Sequence, residues 1–205
     1  MNRMTRVAAA GLVLLGGIAL AGCSSSNAPS QPAQTSQPAA TTTATAPAAP
    51  KQHVTLYMTI LDGKKDWPTF IPGNVTLPAD TDIDVTIRNF DDGPADLPAD
   101  NAKVQGTVGN TMTAISELTG DVDKAPGKAV SELPVKEVSH TFTINDKGFV
   151  LNVPIPPSST VKFTFHTPAA GTYTFRCLTA CGTGANGTEG AMATDGWMRG
   201  TVTIQ

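Results

Sequence analysis

The stretch Gly171-Thr172-Tyr173-Thr174-Phe175-Arg176-Cys177 sets apolar or soft side chains at 173, 175 and 177 and polar ones between them. Successive side chains of a strand point to opposite faces, so this reads as a strand with one face toward a core and the other toward water. The same alternation runs through Val54, Leu56, Met58 and Ile60, through Ile83, Val85 and Ile87, and through His140, Phe142 and Ile144. It returns in Val161, Phe163 and Phe165 and again in Val202 and Ile204. Gly, Pro, Asn and Asp separate these runs, as turns between strands require. No helical period of comparable length competes, and only residues 112–134 leave room for a short helix. Many short strands with one apolar face predict two antiparallel sheets packed face to face, an all-β sandwich.

The N-terminal quarter reads differently. Arg3 and Arg6, an apolar run over residues 7–20 and small residues before Cys23 describe a secretory leader of residues 1–22, too short to be a comfortable membrane span. The junction Leu20-Ala21-Gly22-Cys23 resembles the lipobox of bacterial lipoproteins. That resemblance implies cleavage before Cys23, lipidation of its thiol by palmitate-type chains, and a protein anchored on the extracytoplasmic face of a cell membrane. Residues 24–50 consist of Ser, Thr, Ala, Pro, Gln and Asn, without charge or aromatic ring. Such a stretch cannot bury enough apolar surface to offset its ordering entropy, so residues 23–52 are expected to be a disordered tether. The folded domain is then residues 53–205, generous for seven or eight strands, and the excess lies in an insertion at about 90–137. Within it, Val104-Gln105-Gly106-Thr107-Val108 has the pattern of a possible hairpin.

The whole chain of 205 residues carries a formal net charge of −3. Loss of Arg3 and Arg6 with the leader leaves 12 Lys and Arg against 17 Asp and Glu, a net of −5, which argues against nucleic-acid binding. With Cys23 lipidated, Cys177 and Cys181 are the remaining cysteines, and outside the cytosol two such thiols either pair or hold a metal. The sequence has no Gly-x-Ser-x-Gly elbow, no His-Glu-x-x-His helix and no phosphate-binding glycine loop, and three histidines offer little for acid–base work, so no enzymatic activity is expected.

His140 opens one strand and Cys177 closes another, each on its strand's apolar face. If the two strands run antiparallel, both side chains lie at the same end of the sandwich. A strand starting near Met198 would return beside the one ending at Cys177 and so begin at that end too. Residues 178–197 between them are 20 in number with five glycines, far longer than a hairpin turn. Imidazole, thiolate and thioether are the donors that suit copper.

Three further runs carry a family resemblance. They are Val138-Ser139-His140-Thr141-Phe142-Thr143-Ile144, Pro154-Ile155-Pro156-Pro157, and residues 167–177 ending at Cys177. Together they look like the second half of a cupredoxin, and Gly196-Trp197-Met198-Arg199-Gly200 resembles the close of plastocyanin-type domains. Cys177-Leu178-Thr179-Ala180-Cys181-Gly182 is similar to the cysteine turn of the copper A domain of cytochrome c oxidase subunit II. The resemblance implies a Greek-key sandwich, copper as cofactor, and His140, Cys177, Cys181 and Met198 as its ligands. It also implies electron transfer or copper handling, with a redox or copper-transfer protein as partner.

Both patterns, however, need a second histidine after the cysteine, and none follows His166; Ala180 and Ala185 stand near its place. Met192, Glu189 and Asp195 are the other donors of the loop. His166 falls on an outward face and His53 at the tether junction, so both are expected at the surface. The plain alternative is a Cys177–Cys181 disulfide stapling the loop of a metal-free scaffold, a binding or interaction module; His140 is then an ordinary core-edge histidine and Met198 a core residue.

Overall fold

The computed structural model describes residues 52–63, 66–116 and 127–205. The leader, Cys23, the tether up to residue 51 and residues 117–126 of the insertion lie outside the described residues. In chain order the strands are β1 (His53–Asp62), β2 (Pro68–Ile71), β3 (Asn74–Leu77), β4 (Asp82–Asn89), β5 (Met112–Ile115), β6 (Lys128–Val130), β7 (His140–Asp146), β8 (Phe149–Ile155), β9 (Ser159–His166), β10 (Gly171–Arg176) and β11 (Arg199–Ile204). They form a six-stranded sheet, β2-β1-β4-β9-β5-β6, and a five-stranded sheet, β3-β11-β10-β7-β8. Among the described residues no helix is long and apolar enough to cross a membrane.

Two neighbouring pairs are parallel rather than antiparallel, β1 with β4 and β11 with β3. The cause is a change of sheet between β2 and β3, after which β4 returns beside β1 in the same direction. Residues 147 and 148 join β7 to β8 with φ of +52° at Lys147 and +79° at Gly148, the two-residue turn whose twist matches that of the strands.

The core lies between the sheets and is aromatic. Phe142 on β7 and Phe175 on β10 have ring centroids 4.9 Å apart, and Phe70 on β2 meets Phe175 edge-on at 5.3 Å and Phe142 at 5.9 Å. Each such pair adds about 1 kcal/mol to what burial of the rings contributes. Around them Ile60, Ile83, Ile87, Ile144, Leu151, Val161 and Phe165 are buried, which are the positions that the period of two selects.

The insertion departs from its expected form in two ways. Residues 112–134 hold no helix among their described members; Met112–Ile115 and Lys128–Val130 are strands that extend the larger sheet beyond β9. Val104–Val108 is not a hairpin: Gln105 pairs with Asn152, Lys103 with Glu132, and a single turn of 3-10 helix follows from Val108 to Asn110. Backbone pairing to distant residues, which no local pattern encodes, wins over the hairpin. Asn152 secures the strap by donating from Nδ2 to the carbonyls of Asn101 (2.9 Å) and Lys103 (2.7 Å) while its Oδ1 accepts from the Thr143 hydroxyl at 2.6 Å. The outward-facing Thr141 and Thr143 of β7 are buried in consequence.

At the start of β11 the chain at Gly73 runs against Gly200, and a Cβ built on Gly200 would collide with Gly73 O and lie 2.8 Å from a Phe175 ring carbon. Gly200→Ala is therefore expected to lower stability by about 1–3 kcal/mol, read from chemical denaturation. Unchanged stability would mean that this close approach is not needed.

Candidate metal centre

β7 and β10 are antiparallel neighbours with Phe175 opposite Ile144 and Arg176 opposite Thr143. Continuing that register by one residue takes Cys177 past the end of β10 and toward the first turn of β7, where His140 stands. The Cys177 N–H donates to Met198 O at 2.8 Å, so the ladder between β10 and β11 extends one rung beyond the strands, and on the β7 side the Thr141 N–H donates to Cys177 Sγ at 3.4 Å. His140 and Cys177 are both buried. His140 Nδ1 lies 3.8 Å from Cys177 Sγ, and Cys177 Sγ lies 3.5 Å from Cys181 Sγ. Both thiols are free, and among the described residues His140, Cys177 and Cys181 form the one group of its kind, their donor atoms all within 4.8 Å of one another.

The long loop brings Cys181 back to Cys177. Ala180 N–H donates to Asp96 O of the insertion at 2.8 Å, then Thr183 and Glu189 pair across a small hairpin, and Gly182 N–H donates to Gly187 O at 2.7 Å. A 3-10 turn from Gly190 to Met192 follows, and Met198 N–H returns to Ala191 O at 3.2 Å. This folding sets Met192 Sδ 3.2 Å from Cys181 Sγ. Met198 is fully buried at the foot of β11. Among the described residues, the thioether within hydrogen-bond distance of a cysteine sulfur is that of Met192.

A carboxylate completes the centre from the other sheet. Asp91, two residues past the end of β4, holds His140 Nε2 at 3.0 Å through Oδ2, which leaves Nδ1 to face the sulfurs. A metal-binding imidazole characteristically has its second nitrogen tied to a carboxylate or carbonyl in this way. Burial works against a charge on His140, but the Asp91 carboxylate and the Cys177 sulfur outweigh it and raise its pKa from 6.5 to about 9. Burial likewise opposes charge on Cys177, yet its contacts with Cys181 and with the imidazolium hold it well below the ordinary thiol value. Cys181, beside a thiolate and buried, is pushed up and keeps its proton. The hydrogen bond to His140 in turn lowers Asp91. The metal-free centre at neutral pH is thus an imidazolium–thiolate pair flanked by a carboxylate and a thiol.

Two of the three histidines stand elsewhere, as their outward positions predict. His53 and His166 are exposed at the beginning of β4, where His166 bonds to Asp82 (2.7 Å) and Asp80 (3.1 Å) and His53 to Asp84 (3.1 Å). Seven residues of strand, about 23 Å, separate them from the end of β4 that carries Asp91. Asp91 is the member of the centre that sequence reasoning misses. Its only signal is an Asp91-Asp92-Gly93 turn directly after a strand, and nothing local ties that turn to a histidine in the opposite sheet.

Because His140 binds its proton more tightly in the folded state, the stabilisation it contributes is complete below about pH 6.5 and is lost as the pH rises through about 9. Cys177 shifts in the opposite direction and masks this in the wild type alone, so the comparison with Asp91→Asn isolates the histidine. In metal-free protein, wild type is expected to exceed the variant by about 2 kcal/mol near pH 6, the worth of a hydrogen bond between charged groups, with the gap closing toward pH 9. The imidazole titration midpoint, read by NMR, should fall from about 9 in the variant. A midpoint unmoved by the substitution would show that Asp91 does not hold the proton on His140.

No protein-family model matches the chain, and no curated protein matches it. Solved structures do. Rusticyanin from Thiobacillus ferrooxidans is 15% identical, with 76% of this chain and 79% of that one covered at a TM-score of 0.34. Auracyanin B is 15% identical, with 77% and 92% covered at a TM-score of 0.34. Two sheets packed as a β-sandwich, with a buried histidine opening β7 and a buried cysteine just past β10, accord with the cupredoxin-like fold that the sequence resemblance implies.

Proposed function

We infer that this protein binds copper, as Cu(I), through His140, Cys177 and Cys181, and that it holds and passes copper rather than cycling rapidly between oxidation states. The observation that carries the reading is the convergence of one imidazole nitrogen and two thiol sulfurs within 4.8 Å at the buried end of the sandwich. The donors fit the ion: thiolate and imidazole together suit copper, and an excess of sulfur favours its monovalent state. The Asp91 contact with Nε2 supports the same reading, since it orients Nδ1 toward the sulfurs. Ligand loading requires a neutral imidazole and two thiolates, so copper uptake displaces the protons of His140 and Cys181. The lipobox at Cys23 supports an extracytoplasmic location at a membrane surface, where the partner is a protein that donates or accepts copper or an electron.

A second reading rests on the 3.5 Å separation of the two sulfurs, which brings Cys177 and Cys181 close enough to pair under oxidation. The domain would then be a metal-free scaffold whose loop and insertion serve as a recognition surface.

Metal analysis and thiol titration of the purified protein separate the two. The copper reading expects about one copper per chain, lost in the Cys177→Ser, Cys181→Ser double variant, with both thiols free once the metal is removed under anaerobic conditions. A chain without copper affinity and without free thiols at 177 and 181 would sink it in favour of the scaffold.

A further inference from the structure

His140, Cys177 and Cys181 leave a copper site short of a ligand; the sequence has no histidine after His166 to supply it, and of the two methionines at this end it is Met192, rather than the buried Met198 that the resemblance implies, whose sulfur meets a cysteine sulfur. The structure places another group there. Met192 Sδ lies 3.2 Å from Cys181 Sγ, which is itself 3.5 Å from Cys177 Sγ. Its position is built into the loop. The 3-10 turn that carries it closes with Met192 N–H on Glu189 O at 3.3 Å and Ala193 N–H on Gly190 O at 3.2 Å. Gly190, at φ of +62°, lets that turn pack against Trp67: a Cβ there would lie 3.0 Å from the ring, which itself meets Trp197 edge-on at 5.3 Å.

Room for the thioether comes from Gly182. A Cβ on Gly182 would stand 2.7 Å from Met192 Cγ and collide with Glu189 O, so the residue after Cys181 must lack a side chain for Met192 to reach over the cysteine. Met192 is half-buried and, together with Cys177, also lines a cleft of about 990 Å³ between residues 94–98 and residues 178–180.

We propose that Met192 Sδ is the fourth copper ligand, the donor that takes over from the missing second histidine, so that the site offers one nitrogen and three sulfurs. This rests on the copper reading above. Two thiolates and a thioether are soft donors, and replacing a histidine by a thioether turns the site away from Cu(II) and Zn(II) and toward Cu(I) and its congener Ag(I). A thioether is also the weakest donor of the four and the one beside the open cleft. Met192 is therefore the ligand that an incoming sulfur donor displaces when copper leaves, with the thiolates holding the ion until the exchange is complete.

The test measures Cu(I) affinity of the full chain by competition with a chromophoric chelator, and sulfur count by copper X-ray absorption. Wild type should show three sulfur scatterers and one nitrogen. Met192→Leu, which conserves volume, should show two sulfurs, bind Cu(I) roughly 10–100-fold more weakly and surrender it faster to the chelator. Met198→Leu should keep three sulfurs. The sulfur count of the wild type needs no variant to fold, and a selenomethionine-labelled wild type should show a copper–selenium contact. Wild type that binds no Cu(I) would overturn the copper reading itself. Wild type that binds it with two sulfurs, or a Met192→Leu variant of undiminished affinity that keeps three, would leave copper binding standing and overturn the assignment to Met192.

Discussion

Everything at the candidate metal centre depends on one strand pairing, that of β7 with β10. Its register sets Phe175 against Ile144, and from that rung the direction of both strands brings the beginning of one and the end of the other together. A shift of either strand by one residue would turn its own donor and its own phenylalanine to the outer face, His140 with Phe142 or Cys177 with Phe175, so the aromatic core and the donor atoms are specified by the same choice. The core makes that choice expensive to alter: Phe70, Phe142 and Phe175 interlock across both sheets. Burial of hydrocarbon is thus what fixes the distance between an imidazole and a thiol.

The electrostatics follow from where this register leaves the charges. A buried histidine is ordinarily neutral, because low polarity disfavours its ion. Here an anionic sulfur lies on one side of the ring and a carboxylate on the other, and the proton stays. The two cysteines, chemically alike and four residues apart, are driven in opposite directions, because two sulfurs 3.5 Å apart cannot both carry charge in a buried site without a cation between them.

The strands with long alternation, β1, β4, β7, β9, β10 and β11, are legible in the sequence because each buries one face, and burial writes a period of two. Pro68–Ile71 and Asn74–Leu77 are too short to show a period, and their partners are set by the change of sheet between them. In β5 and β6 only Met112 and Val130, which face each other, mark the inner side, and two such residues do not distinguish a strand from a helix turn. Of the centre, His140 and Cys177 are visible because they sit at strand ends on apolar faces, and Cys181 because it is the other cysteine of residues 53–205. Asp91 is not, since its partner lies 49 residues away in the other sheet. Met192 is visible only as one soft residue in a long loop, and its contact with Cys181 depends on a hairpin whose glycines the sequence displays but does not place.

The strap formed by the insertion also governs how one copy of the domain meets another. A sandwich has four lateral edges, and an uncovered edge strand is a template on which a second chain can add. Three of the four are strands of only four or three residues, β2, β3 and β6. The fourth, β8, is seven residues long and would be the exposed one. There Gln105 and Asn152 exchange both backbone hydrogen bonds at 2.9 Å, and Pro154 has no N–H to offer. The one long margin of the sandwich is thereby closed against strand addition, which lets many copies crowd together without zipping into a common sheet.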